Sequence, residues 1–247
     1  MGVFAGPDIS ESGLVLALDA GNLKSYNAGI STTTWTDLSG NGNTGTLTNG
    51  PTYSSANGGS LVFGSTNDYA ELSASSSFNF STGNFSIECW FNISGNSGLN
   101  GNGVRDACLF NCGNITNVNI IFLHLVISGD SSTTGTGFYL YKNQGGVVGQ
   151  TQTVSISQNA WHQVVVSKIG TSLNFYLDNS QVGSTITDSN AWGSSTSNSR
   201  IATLNSTGSY ADNFQGSISV VRIYNGKGLT AAEIQQNFNA LRGRFGI

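Results

Sequence analysis

Hydrophobic and polar positions alternate with a period of two along much of the chain, the pattern of half-buried strands. In "NFSIECWFNIS", Phe85, Ile87, Cys89, Phe91 and Ile93 point one way, while Ser86, Glu88, Trp90 and Asn92 point the other. Residues 119–127 are apolar on both faces, which suits a central strand covered on both sides. Phe138 and Leu140 then alternate with Tyr139 and Tyr141. Further strand-like runs at 153–156, 161–168, 173–178 and 217–224 are separated by turn residues, and this spacing predicts a sandwich or jelly roll. A tight hairpin is predicted at 178–181, because Asp178 and Asn179 tolerate left-handed backbone.

One segment carries a helical pattern. Thr230 and Glu233 are spaced as a capping box, and Ile234, Phe238 and Leu241 follow on one face. This short C-terminal helix is expected to close the fold against a sheet edge, with Arg242 and Arg244 just past its end, where cations suit the helix dipole. Residues 94–105 and 187–200 are rich in Gly, Ser and Asn and read as surface loops. Residues 1–12 read as an extended arm, and 13–247 as one domain.

Composition narrows the function classes. Of 247 residues only 9% are charged, with nine Lys plus Arg and four Glu, too few for coiled coils or long helices. A net charge of −4 offers no basic face for nucleic acid. The longest apolar stretch falls far short of a membrane span, and the first ten residues lack the features of a secretory signal, so folding in a cytosol is expected. Three cysteines, an odd number, read as free thiols. Cys89 is expected inside, and Cys108 and Cys112 on one strand face, about 13 Å apart and too distant to bond.

Three segments, "FSIECWFNIS", "WHQVVVSK" with "LNFYLDNSQVGS", and "FQGSISVVRIYNGKGLTAAEIQ", resemble the laminin-G-like branch of the concanavalin A-like lectin/glucanase superfamily. The resemblance implies an all-β jelly roll of two antiparallel sheets, one concave and one convex. "GLVLALDAGNLKSYN", the stretch around "WTDLSGNGNTG" and the ending "FNALRGRFGI" look like laminin-G-like virion structural proteins of tailed bacteriophages. Relatives carry Asp-Gly after the strand ending in Phe63, where this chain has Gly64-Ser65, so one acidic ligand of a family-type calcium site is missing.

A sugar site needs an aromatic face beside amides or carboxylates. Trp192 with Asp188 and Asn190 fits that description, and Tyr210 near Asp212 and Asn213 comes second. Calcium is the one cofactor considered, with oxygens from Asn67, Asp68, Asp212 and Asn213 if the fold brings those corners together. The E-x-D-x-x-E motif of the superfamily's glucanases is absent. Glu88 is expected on a solvated or ligand-facing sheet surface, with Glu71 the only candidate to lie across from it. His162 and His124 read as structural, and no glycine-rich phosphate loop joins a strand to a helix.

The resulting expectation is a non-enzymatic protein of the virion surface, serving as head decoration, fibre or tail-associated protein. It would be oligomeric or arrayed, docked to other virion proteins through residues 1–12, and without nucleic-acid or membrane partners. A glycan-binding adhesin for host surface polysaccharide is the alternative, and a glycoside hydrolase is disfavoured.

Overall fold

A computed structural model describes residues 8–64, 67–94, 105–113, 121–127, 137–143, 147–193, 196–204 and 212–247. The strands in chain order are β1 (Leu14–Asp19), β2 (Thr34–Trp35), β3 (Gly45–Thr48), β4 (Thr52–Ser54), β5 (Ser60–Phe63), β6 (Tyr69–Leu72), β7 (Phe85–Ile93) and β8 (Arg105–Cys112). They continue as β9 (Ile121–Ile127), β10 (Gly137–Asn143), β11 (Val147–Thr153), β12 (Trp161–Ile169), β13 (Ser172–Leu177), β14 (Ser180–Thr187), β15 (Ser199–Ile201) and β16 (Gly216–Asn225), before helix α1 (Ala231–Phe245).

All pairings are antiparallel, and they build two sheets. Sheet 1 runs β14-β13-β12-β7-β16-β5-β4, with β1 also paired to β16. Sheet 2 runs β11-β10-β9-β8-β15-β6-β3-β2. The core lies between them. Sheet 1 contributes Ile87, Cys89 and Phe91 of β7, Val164 and Val166 of β12, and Val221 and Ile223 of β16; sheet 2 contributes Ala70, Leu72, Phe110, Leu123 and Leu140. The expected all-β sandwich of two antiparallel sheets with a C-terminal helix is therefore observed, and the alternation of β7 is its clearest cause: one set of side chains fills the space between the sheets.

Local signals explain the connections. Leu177 pairs with Ser180, so only Asp178 and Asn179 turn the β13–β14 hairpin, and both have positive φ (48° and 68°), as the favoured two-residue turns require. Gly216 opens β16 at φ 147°, and a Cβ there would stand 2.2 Å from the Asn92 carbonyl oxygen, so only glycine fits. Thr230 and Glu233 form the capping box, and Gly246 ends α1 in the left-handed conformation.

Several expectations change. The run 153–156 is not a strand: β11 ends at Thr153, and Val154 and Ile156 pack against the core from irregular backbone. Cys108 and Cys112 do not share a face. The β8–β9 register shifts between Cys108 and Phe110, a bulge that places Cys112 in the core cluster and leaves Cys108 out of it. All three cysteines are buried, and none forms a disulfide. The segment 187–200 is not wholly a surface loop, since it ends in β15 and buries Trp192. Helix α1 continues to Phe245, so Arg242 and Arg244 belong to its last turn.

The helix covers the outer face of sheet 1, not an edge. Trp90, Trp161 and Val220 of that face pack with Phe238, Leu241 and Phe245 of α1, while Val165, Tyr176 and Tyr224 pack with Leu229 and Ile234. Trp90 stacks on both Phe238 and Phe245, with centroids 5.6 and 4.6 Å away. From Asp8 onward, the arm lies along the same helix: Ser10 N–H donates to Asn237 Oδ1 (2.8 Å), Tyr224 Oη donates to the Ser10 carbonyl (3.0 Å), and Gln236 donates to the Asp8 carbonyl. Arg244 pins the end of α1 through Asp19 (2.7 Å) and the Asn57 carbonyl (3.0 Å). Among the described residues no helix is long and apolar enough to cross a membrane.

Candidate functional site

Glu88 is not on a solvated or ligand-facing surface. It is fully buried beneath α1, where Oε1 accepts from Trp90 Nε1 (3.1 Å), Gln163 Nε2 (2.9 Å) and Arg222 Nη1 (3.0 Å), and Oε2 accepts from Asn237 Nδ2 (2.8 Å). Asn237 also donates to Tyr224 Oη (3.0 Å). Burial first, and the Glu88 charge second, push the Tyr224 phenol well above its ordinary value. The carboxylate ties three strands to the helix and meets no solvent.

Glu71 does not lie across from Glu88; it belongs to β6 in sheet 2. Its core-facing neighbours are Ala70 and Leu72, so its side chain leaves the opposite face of the sandwich. Packed sheets stand about 10 Å apart, and two carboxylates on opposite outer faces exceed the separation that either glycosidase geometry uses.

Trp192 is fully buried, so it is not the exposed stacking platform that the sequence suggested. Its N–H donates to the Asp188 carboxylate, its backbone bridges Ser81, and its ring lies 6.4 Å from Phe85. Asp188 is itself buried and accepts the Asn190 N–H at 2.8 Å. The three residues do come together, but as an internal strut. Tyr210 lies outside the described residues.

The calcium corners flank the paired ends of β5 and β16, Asn67 and Asp68 after Phe63 and Asp212 and Asn213 before Gly216, and Phe63 lies opposite Gly216. Asp68 accepts the Gly64 N–H at 2.9 Å, and its neighbour Asn67 offers its carbonyl to Asn49 Nδ2 at 2.7 Å. Asn213 accepts from Thr203 Oγ1 at 2.8 Å, and the Asp212 carbonyl accepts the Cys108 N–H at 2.9 Å. Burial pushes the Asp212 carboxyl up to about 6. Among the described residues no three His, Cys, Asp or Glu side chains converge as a metal set.

The outer face of sheet 2 carries the polar chemistry that remains. One cross-strand row runs Thr34, Thr46, Glu71, Arg200 and Asn111, over β2, β3, β6, β15 and β8. Glu71 accepts from Arg200 Nε (3.1 Å) and Asn198 Nδ2 (3.0 Å), and the Arg200 guanidinium lies 4.4 Å from the Tyr69 ring centroid. Glu71 and Arg200 keep 30% and 21% of their side-chain surface, so the pair is organised yet reachable by a ligand. Helix α1 covers sheet 1, not this face. Sequence reasoning missed the patch because β15 is three residues within a Ser- and Asn-rich stretch, too short for any alternation to show.

His162 sits in a constellation reminiscent of a nucleophile set: Nδ1 lies 2.7 Å from Asp178 Oδ2, and Nε2 3.1 Å from Ser157 Oγ. Nε2 is equally 3.1 Å from the Ser157 carbonyl, which only accepts. The ring is thus clamped between the Asp178 carboxylate and Ser157, an arrangement that holds the β13–β14 turn against the start of β12. Burial alone would lower the His162 pKa, but the bonds to Asp178 and Ser157 outweigh it and raise it. A raised folded value means that its stabilising contribution is complete below the ordinary histidine range and is lost as pH rises through the folded value. Wild type is expected to exceed His162→Gln in Tm by more at pH 5.5 than at pH 8.5; an equal or larger gap at pH 8.5 would refute the clamp. For His124 the register gives Cys108 and Tyr139 as strand partners.

Comparison with curated proteins by sequence gives no match. Among solved structures, domain 4 of AbnA, a GH43 extracellular arabinanase from Geobacillus stearothermophilus, in complex with arabinotriose, matches with a TM-score of 0.64 and 16% identity. That match covers 93% of this chain and 100% of that one. The binding domain of Paraclostridial Mosquitocidal Protein 1 matches with a TM-score of 0.65 and 15% identity over 93% of this chain and 52% of that one. The botulinum neurotoxin serotype G binding domain matches with a TM-score of 0.61 and 16% identity, over 91% and 50%. The chain thus spans about half the length of these toxin binding domains, and at such identities the likeness is one of fold. A sequence profile described as the concanavalin A-like lectin/glucanases superfamily matches residues 63–235. With that match spanning β6 to the first turn of α1 and both sheets paired as a jelly roll requires, the chain belongs to the concanavalin A-like lectin/glucanases superfamily.

Proposed function

We propose that this protein is a non-catalytic glycan-binding module that reads carbohydrate with the outer face of sheet 2. The observation that carries the reading is the asymmetry of the sandwich. One outer face is packed by α1 and the arm, and the other presents Glu71, Arg200, Asn198 and Tyr69 as a partly exposed, mutually bonded patch beside Thr46. Sugar hydroxyls act as both donors and acceptors, and this patch offers a carboxylate, an amide and a guanidinium within one bonded cluster. Glu71 is the one carboxylate among the described side chains of this patch, which suits binding. The arabinotriose-bound domain, matched over its whole length, supports carbohydrate as the ligand class.

The experiment is titration calorimetry with arabinotriose and a set of bacterial surface polysaccharides. At least one is expected to bind, and Glu71→Ala and Arg200→Ala should each weaken that ligand at least about tenfold, as loss of a charged hydrogen-bond partner does. Binding that ignores both substitutions, or no binding across the set, would remove this reading.

The finer reading places the module on the surface of a bacteriophage particle, as head decoration, fibre or tail-associated protein, with host polysaccharide as its ligand. It is supported by the likeness of the first fifty residues of the domain and of the C-terminal segment to phage virion proteins. Mass spectrometry of purified particles checks it, and absence of the chain from washed particles would refute it.

A further inference from the structure

A cleft of about 250 Å³ opens on the sheet 1 side of the molecule, beside β1 and clear of the sheet 2 patch. Glu11, Leu14, Ala17, Asp19, Leu38 and Arg222 line it. Arg222 is the distinctive member. Its side chain is only 6% exposed, and its sole hydrogen bond among the described residues is Nη1 to Glu88 Oε1 at 3.0 Å. Nε and Nη2 make no hydrogen bond among the described residues, and Arg222 is one of the residues that line the cleft. Asp19 lines the same cleft, and its Oδ1 is engaged by Arg244 and the Gly21 N–H while Oδ2 makes no hydrogen bond among the described residues.

Charge restricts what can enter. Arg222 is already paired with Glu88 and Asp19 with Arg244, and Glu11, an exposed lining carboxylate, has no ion-pair partner among the described residues. A free anion would meet Glu11 and Asp19, and a cation would meet the guanidinium. A neutral polyol opposes neither: adjacent hydroxyls accept from Nε and Nη2, a further hydroxyl donates to Asp19, and its C–H face rests on Leu14, Ala17 and Leu38. The volume lies below the roughly 300–1,000 Å³ of drug-sized ligand sites, which admits one ring and not a chain.

We propose that this cleft is a second binding site, for a single neutral sugar ring held by the free edge of the Arg222 guanidinium and by Asp19. It does not rest on the sheet 2 reading, because the two sites lie on opposite faces and report through different residues.

The test is NMR titration of the full chain with D-glucose, D-galactose, D-mannose and L-rhamnose, with sodium sulfate as a separate arm. At least one sugar is expected to shift the Arg222 Nε–H and Ala17 amide signals with millimolar affinity. Arg222→Lys keeps a charge for Glu88 but loses the donor fork, and should weaken that response about tenfold. Leu38→Trp alters a 39% exposed position and should abolish the response by filling the cleft, with Tm unchanged. The proposal is overturned if no sugar shifts these signals, if sulfate shifts them instead, if sugars shift only the Tyr69–Arg200 patch, or if both variants respond as wild type does.

Discussion

Replacing Glu88 by alanine is expected to destabilise the protein by about 3–5 kcal/mol, the usual consequence of stranding one member of a buried ion pair. The carboxylate receives four side-chain donors in a place without solvent, so its removal leaves the Arg222 guanidinium unpaired and takes acceptors from Trp90, Gln163 and Asn237 together. Domains of this kind hold only about 5–15 kcal/mol of net stability, so a loss on that scale is large. Urea denaturation measures it. The double variant Glu88→Met with Arg222→Met should recover part of the loss, because well-packed apolar residues replace a buried pair at little cost. A single Glu88→Ala within about 1 kcal/mol of wild type would show that the site is wet and the pair weak, as exposed pairs are.

Truncating Trp192 to alanine is the second large effect, expected at about 3–5 kcal/mol for a fully buried indole whose hole the surroundings only partly refill. Asp188, itself buried, would also lose the indole N–H. Trp192→Phe keeps most of the volume and isolates that bond, at about 1–3 kcal/mol. Thermal melts rank the three proteins. Since the indole lies inside the sandwich against Phe85, the folded Trp192→Phe protein should bind any sugar that the wild type binds, with unchanged affinity. A selective loss of binding at full stability would return Trp192 to the recognition surface.

These two residues also show where a one-dimensional reading stops. Alternation assigns Glu88 and Trp90 correctly to the side of β7 that faces away from the core. It says nothing of what covers that side, and a strand looks the same under water as under a helix. The pertinent signal is spread over three segments: Glu88, Arg222 and Asn237 must be recognised as complementary while being 149 residues apart at the extremes. Trp192 sits in polar company without a period to place it, and only the bridge to Ser81 turns it inward. The Cys108 face was lost to a one-residue bulge, which no periodic rule anticipates. The long strands, the Asp178–Asn179 turn and the capping box were legible because each is specified within a few neighbouring residues.

The packing of the arm and α1 onto one face makes the two outer faces of the sandwich unlike each other. Asp8 is held by Gln236, and Arg244, three residues before the final Ile247, is locked to Asp19, so both ends of the described chain emerge over sheet 1. Contacts made at Asp8 or at Arg244 therefore fall on the sheet 1 side, and the Glu71–Arg200 pair lies on the opposite face. A surface that engaged the arm and the end of α1 would leave the Glu71–Arg200 face turned away from it.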